Sequence, residues 1–303
     1  MRRSIALFFA AAVALAQDGQ FSWSGREALA GKSDAAPTVV VMGTSIHLVH
    51  TGRKSDKLYH AVFDGKSWTA ETEIPGRESG SAPGLAVFDG ALHMVYTGRR
   101  SGDLYHAKFD GRGWTADTQM PGRRSRGTPA LAAFNGALHL LYVGESRPNI
   151  YHSTFDGRAW STEVQVAGFD SNSTPTAAVF DGALHIASVR RDSNEIFHMT
   201  YDGRTWSAPS SVPGMSSHGA PALFVAGKRL CMFGSQGDKP IRYCFHDGRT
   251  WSGAYDIAGQ ACSGAPGVAV LAEGTENVLH LLYREHKGNA IWHTRGYEAK
   301  SKE

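Results

Sequence analysis

Short apolar or alternating runs fill this chain, and turn residues part them at regular intervals. The clearest stretch opens at Pro83. Residues 84–88 (Gly-Leu-Ala-Val-Phe) are nearly all apolar, and Asp89-Gly90 follows; residues 91–97 (Ala-Leu-His-Met-Val-Tyr-Thr) lead into a loop over 98–102. Residues 103–109 (Asp-Leu-Tyr-His-Ala-Lys-Phe) come next, then Asp110-Gly111 and Trp114. The runs favour Val, Tyr, Phe, Trp and Thr, which suit a half-buried pleated surface, and none is long enough for an ordinary helix. Asp-Gly between apolar runs predicts hairpins, because a type I′ turn needs positive φ at both central residues. Each unit is therefore expected to be a four-stranded antiparallel meander.

The unit recurs six times. Its opening proline stands at Pro37, Pro83, Pro129, Pro175, Pro221 and Pro266, and its tryptophan at Trp23, Trp68, Trp114, Trp160, Trp206 and Trp251. A fixed period of this length signals units that bury their faces only against neighbours. Four strands per unit predict an all-β, six-bladed β-propeller. The unit from Pro266 lacks a fourth-strand tryptophan, while Phe21-Ser22-Trp23-Ser24 matches one. The N-terminal strand is thus expected to complete the last blade and remove two open edges.

Composition changes this picture little. The net charge of +3 is too weak and mixed to argue for nucleic acid, and no nucleic-acid motif is present. Arg2-Arg3, the apolar stretch from Ile5 to Leu15 and the small residues around Ala16 form a signal-peptide pattern over 1–16. The expectation is a secreted single domain over 17–303, with repeats starting near 37, 83, 129, 175, 221 and 266 and no membrane span. Asn172-Ser173-Thr174 is a glycosylation sequon, usable in a eukaryotic source.

Histidine marks two positions per unit, thirteen residues apart. The pairs are His47 and His60, His93 and His106, His139 and His152, His185 and His198, and His280 and His293. Mid-blade strands face adjacent blades, so structural hydrogen bonding outweighs metal binding, and no metal or cofactor is expected. The fifth unit has Cys231 and Cys244 at the same spacing. Opposed across a hairpin, they would form either a disulfide or a pair of buried thiols, with Cys262 left over.

Three residues after the first histidine position stand His50, Tyr96, Tyr142, Ser188, Gly234 and Tyr283; six after it stand Arg53, Arg99, Glu145, Arg191, Gly237 and His286. Aromatic rings thus occupy a contiguous arc from blade six to blade three. A ring beside a charged group suits sugar recognition, where CH faces stack and hydroxyls hydrogen-bond. Tyr96 with Arg99, Tyr142 with Glu145, His50 with Arg53, and Tyr283 with His286 are the candidate ligand-binding residues. No catalytic pair of carboxylates unique to one blade is apparent.

The Ala-Val-Phe-Asp-Gly-Ala-Leu-His hairpin, the Leu-Tyr-His strand and the Phe-Asp-Gly-Arg-x-Trp-Ser turn resemble those of secreted fungal and bacterial β-propeller lectins, a group that includes the fucose-binding propellers. The resemblance implies shallow, calcium-independent sites between blades, several per ring, with glycans or glycoproteins as partners. A non-enzymatic lectin is the expected function. A sialidase-like glycoside hydrolase and a protein-binding scaffold are the alternatives, since propellers host many functions.

Overall fold

The computed structural model describes residues 20–171 and 173–298; the expected signal segment and Asn172 lie outside them. Every element is a β-strand. Two short strands, β1 (Phe21–Trp23) and β2 (Glu27–Lys32), precede blade one, which holds β3 (Thr38–Met42), β4 (Ser45–Thr51), β5 (Lys57–Phe63) and β6 (Thr72–Glu78). Blade two follows with β7 (Gly84–Phe88), β8 (Ala91–Thr97), β9 (Asp103–Phe109) and β10 (Thr118–Arg124). The first three match the sequence expectation residue for residue. Blades three to five run from β11 (Ala130–Phe134) to β14 (Val164–Asp170), from β15 (Thr176–Phe180) to β18 (Ser210–Ser216) and from β19 (Ala222–Ala226) to β22 (Tyr255–Ile257). Blade six has β23 (Gly267–Glu273), β24 (Glu276–Arg284) and β25 (Ala290–Glu298). Each sheet is antiparallel, and β3, β7, β11, β15, β19 and β23 contact one another in turn around the axis, with β23 meeting β3.

The two Asp-Gly turns of a unit differ. The first is the type I′ hairpin expected, with φ of 48° at Asp89 and 72° at Gly90. At the second, only the glycine has positive φ, 94° at Gly111. There the aspartate caps the loop: Asp110 Oδ1 accepts from the backbone N–H of Arg112 at 2.8 Å and Gly113 at 2.9 Å. These backbone donors hold the Asp110 carboxyl below its ordinary pKa.

Neighbouring blades are latched on the opposite face. Past the end of each outer strand stands a buried Ser33, Ser79, Ser125, Ser171 or Ser217, or, in blade five, Cys262. Ser33 Oγ donates to Thr51 O of the next blade at 2.7 Å, and Ser171 Oγ to Val189 O at 2.7 Å. The cysteine left unexplained by sequence is the sixth member of this set, its Sγ lying 3.3 Å from Gly264 O.

Closure follows the sequence expectation, with the fourth strand of blade six split in two. Trp23 of β1 pairs with Gly296, and Glu27 of β2 with His293. Gly296 stands where other blades carry Phe63, Phe109, Phe155, Tyr201 or His246 opposite the tryptophan. A Cβ there would lie 2.9 Å from Trp23, so the missing side chain makes room for the indole. Phe21 and Trp23 then pack on Tyr243 of blade five, with Phe245 and Phe233 beside them.

Of the two arrangements left open for Cys231 and Cys244, the structure has the buried thiols rather than the disulfide, and Cys262 is a buried free thiol too. The cause is a loop one residue shorter in blade five. In blade one His47 lies opposite Val62 and His60 opposite Val49, so both histidines share a face. In blade five Cys231 lies opposite Phe245, and Cys244 is opposite Met232. A one-residue slip moves a side chain to the other face. Tyr243, opposite Phe233, takes the second histidine position instead.

Two measurements check this account. Trp23→Ala should cost about 3 kcal/mol or more in chemical denaturation, as large core truncations do; a loss near zero would contradict closure through β1. Burial pushes the thiols of Cys231 and Cys244 up to about 12 and that of Cys262 up to about 11. Without reductant, all three should resist alkylation in the native protein and react after unfolding. One reactive thiol after unfolding would restore the disulfide.

Candidate functional site

The blade interfaces are built on a repeated hydrogen-bonded histidine pair. In every complete pair the first histidine's Nδ1 faces the second's Nε2, at 2.9 Å for His47–His60, 3.0 Å for His93–His106 and 2.8 Å for His185–His198. Beyond the first ring, His139 Nε2 reaches Phe134 O at 3.2 Å and His185 Nε2 reaches Phe180 O at 3.1 Å. Beyond the second ring lies the tryptophan of the next blade. Trp68 Nε1 donates to His293 Nδ1 at 3.3 Å and Trp160 Nε1 to His106 Nδ1 at 3.4 Å. Trp114, Trp206 and Trp251 meet His60, His152 and His198 edge-on, with centroids 5.3–5.6 Å apart.

In blades three and four the carbonyl fixes the protons. It accepts from Nε2–H of the first histidine, whose Nδ1 must then accept from Nε2–H of the second. Both rings of such a pair are neutral, and a proton added to the first would set donor against donor. Blade six differs, with His293 Nδ1 3.0 Å from Glu27 Oε1 and His280 Nε2 3.2 Å from Glu273 Oε1. Burial lowers the histidine pKa values accordingly: to about 4 for His60, His93, His152 and His293, and to about 3 for His106, His198 and His280. At the sixth interface Tyr243 replaces the second histidine and meets Trp23 edge-on, while its hydroxyl accepts from Phe21 N–H at 3.2 Å.

The candidate ligand residues are placed differently from expectation. His50, Tyr96, Tyr142 and Tyr283 do form an arc, but their rings are 0–3 % exposed and offer no stacking platform. Nor does the structure join them to the loop charges. Arg99 pairs with Asp56 at 2.9 Å, Glu145 with Arg124 at 2.9 Å, and His286 Nδ1 lies 3.3 Å from Ser263 Oγ. Arg53 is exposed on its loop.

What holds the buried rings is an acid that the sequence reading missed. Tyr96 donates to Asp117 Oδ2 at 2.7 Å, Tyr142 to Glu163, and His50 Nε2 lies 2.8 Å from Glu71 Oε2. Each acid stands three residues after the blade's tryptophan, and blade six has Arg26 there, 3.3 Å from the Tyr283 hydroxyl. The preceding blade's outer strand supplies the counter-charge. Arg77 Nε donates to Asp117 Oδ1 at 2.6 Å, and Arg123 Nε lies 3.9 Å from Glu163. Aligning the residues that follow each tryptophan was the signal that could have found them.

Outside this buried layer, a groove of about 440 Å³ opens between blades one and two. Trp114, Phe109 and His60 form its aromatic wall, and Glu73, Arg77, Arg112 and Thr115 bring polar groups to it.

No protein-family model matches the chain, and no curated protein does. Solved structures do match. A fucose-specific lectin from Aleuria aurantia superposes with a TM-score of 0.66 at 14 % identity, covering 89 % of this chain and 93 % of the lectin. The SapL1 lectin in complex with alpha methyl fucoside gives 0.60 at 14 %, covering 84 % and 90 %. A Trypanosoma rangeli sialidase also gives 0.60, at 12 %, covering 88 % of this chain and 55 % of the sialidase. The chain has the six-bladed fold of the fucose-lectin propellers.

At this identity the likeness is one of fold, so any activity must be argued from the clefts. The same histidine chains make this propeller acid-sensitive in a defined window. Their folded pKa values lie below the ordinary 6.5, so the unfolded chain binds more protons between the two values. The stability they contribute is fully present above about pH 6.5 and is lost as pH falls towards 4 and below. The melting temperature should therefore drop steeply from pH 6.5 to 4. A flat profile over that range would contradict the neutral chains.

Proposed function

We propose that this protein is a secreted, lectin-like carbohydrate-binding propeller that takes glycans in grooves between neighbouring blades. The observation that carries the reading is the groove between blades one and two, where the half-buried Trp114 adjoins Arg112, Arg77 and Glu73. A sugar presents apolar CH faces and hydroxyl edges, which an indole beside charged donors and acceptors complements. This moves the stacking surface from the buried Tyr96, Tyr142, His50 and Tyr283 to the outer tryptophans.

Aleuria aurantia lectin structures are described in complex with alpha-methyl-L-fucoside and with Fucalpha1-6GlcNAc, which supports glycans or glycoproteins as the partner class. Because the tryptophan recurs in every blade, several weak sites would act together, and avidity would come from their number. The basic and apolar pattern over 1–16 supports export.

A glycan array on the protein from residue 17 onward tests the reading. Binding to a defined glycan set, competed by the free sugar, is expected. Arg112→Ala, which removes an exposed side chain, should weaken it several-fold. Silence across fucosylated, galactosylated, sialylated and GlcNAc-bearing glycans would overturn it, and release of a fluorogenic aglycone would favour a hydrolase instead.

A further inference from the structure

The six blade interfaces differ in what fills the buried layer beneath the loops. Two residues before each latch position stand Arg77, Arg123, Phe169, Met215, Gln260 and Gly31. Between blades one and two, and between two and three, the arginine reaches across to an acid that also accepts from a buried tyrosine. Between blades three and four the acid's position is Pro209, and between four and five it is Ala254; there Phe169 and Met215 fill the space with apolar contacts. Arginine and acid are thus kept or lost together at these four interfaces.

The interface between blades six and one breaks that rule. The acid remains as Glu71, and its strand partner remains as His50, buried and 2.8 Å away through Nε2. The arginine is replaced by Gly31, the Glu71 carboxylate lies directly over it, and both line a cavity of about 220 Å³. Leu29, Leu48, Ala61 and Ile291 give this cavity apolar walls, and Trp68 lies at its side. Among the described residues Glu71 has one ionic partner, His50, and no arginine or lysine takes the missing guanidinium's place. The carboxylate is about one-third exposed and so can be reached from solvent.

We propose that this cavity is a binding site for an alkyl guanidinium, with Glu71 as its anchor. The two sister interfaces show the pairing in the same fold: Arg77 Nε donates to Asp117 at 2.6 Å, and the Arg123 guanidinium lies 3.9 Å from Glu163. A free alkylguanidine or the arginine side chain of a peptide presents that group. His50 holds the carboxylate in place as Tyr96 holds Asp117, and the apolar walls select a hydrocarbon stem of about three carbons. The proposal is independent of the glycan reading, because the cavity shares no lining residue with the groove at Trp114.

Ligand-observed NMR and calorimetry on the intact protein test it, with n-propylguanidinium and a blocked Gly-Arg-Gly peptide as probes and neutral N-propylurea as the control. Saturable binding of n-propylguanidinium on the order of millimolar is expected, the range that one charge-assisted pair and a short stem supply. Glu71→Gln should weaken it about tenfold. Gly31→Arg should abolish it by filling the cavity from within; the first group its side chain meets is the Glu71 carboxylate, which must turn aside. Should Gly31→Arg fail to fold, Glu71→Gln decides alone. Peptide binding as well would identify polypeptide arginine as a source, and binding of the small cation alone a free guanidine; both outcomes support the site. Binding of neither probe, equal binding of the urea, or unchanged affinity in Glu71→Gln would overturn it.

Discussion

The ring depends on the histidine pairs at five of its six blade interfaces, each pair hydrogen-bonded within its blade and met edge-on by the tryptophan of the next. At two interfaces the tryptophan N–H donates to the second imidazole, and in blades three and four the first imidazole reaches a backbone carbonyl. The facing ring nitrogens would be costly to bury alone, so the two histidines require each other. That requirement explains why the two histidines recur together. At the sixth interface Tyr243 and Trp23 replace the imidazole and its ring contact, and the glycine at 296 yields space to the indole. Such a ring needs no separate fastening, only a first strand that supplies the last tryptophan.

Much of this architecture is legible in the sequence because it follows from period and turn chemistry. The proline and tryptophan spacings set the blade number, and the Asp89-Gly90 hairpin fixes where strands begin. The two Asp-Gly turns look alike in sequence and differ in structure, since a four-residue loop lets the Asp110 carboxylate cap two backbone N–H groups. The cysteines show a sharper limit. Cys231 and Cys244 keep the thirteen-residue spacing of the histidines, but blade five has one residue fewer between strands. Side chains alternate with a period of two, so that single residue reverses which face Cys244 takes. Spacing along the chain does not reveal such a slip; strand register does.

The candidate site shows the same contrast between pattern and environment. The aromatic arc was visible, and its rings exist for a reason, yet the reason is internal. His50, Tyr96 and Tyr142 each bond a partly exposed acid, Tyr283 meets Arg26, and the acids of blades two and three face arginines from the preceding blade. A sequence pattern identifies which positions vary together; burial decides whether they face a ligand. Half-buried aromatic surface lies elsewhere, on the outer tryptophans that also meet the histidine pairs. The groove at Trp114 therefore rests on the same residue that seals the interface beneath it, and binding there would read a surface held rigid by packing. Departures from the repeat carry the remaining information, above all Glu71, which has Gly31 where its sister acids have an arginine.

The central claim is that the paired histidines of blades three and four, His139 with His152 and His185 with His198, are neutral and share one tautomer. Nitrogen-15 NMR of the histidine side chains reads both properties directly. Protonated Nε2 and bare Nδ1 are predicted for the paired rings at neutral pH, with no change while the fold survives down to about pH 5. Rings of these pairs that titrate near 6.5 in the folded protein, or carry the proton on Nδ1, would contradict it.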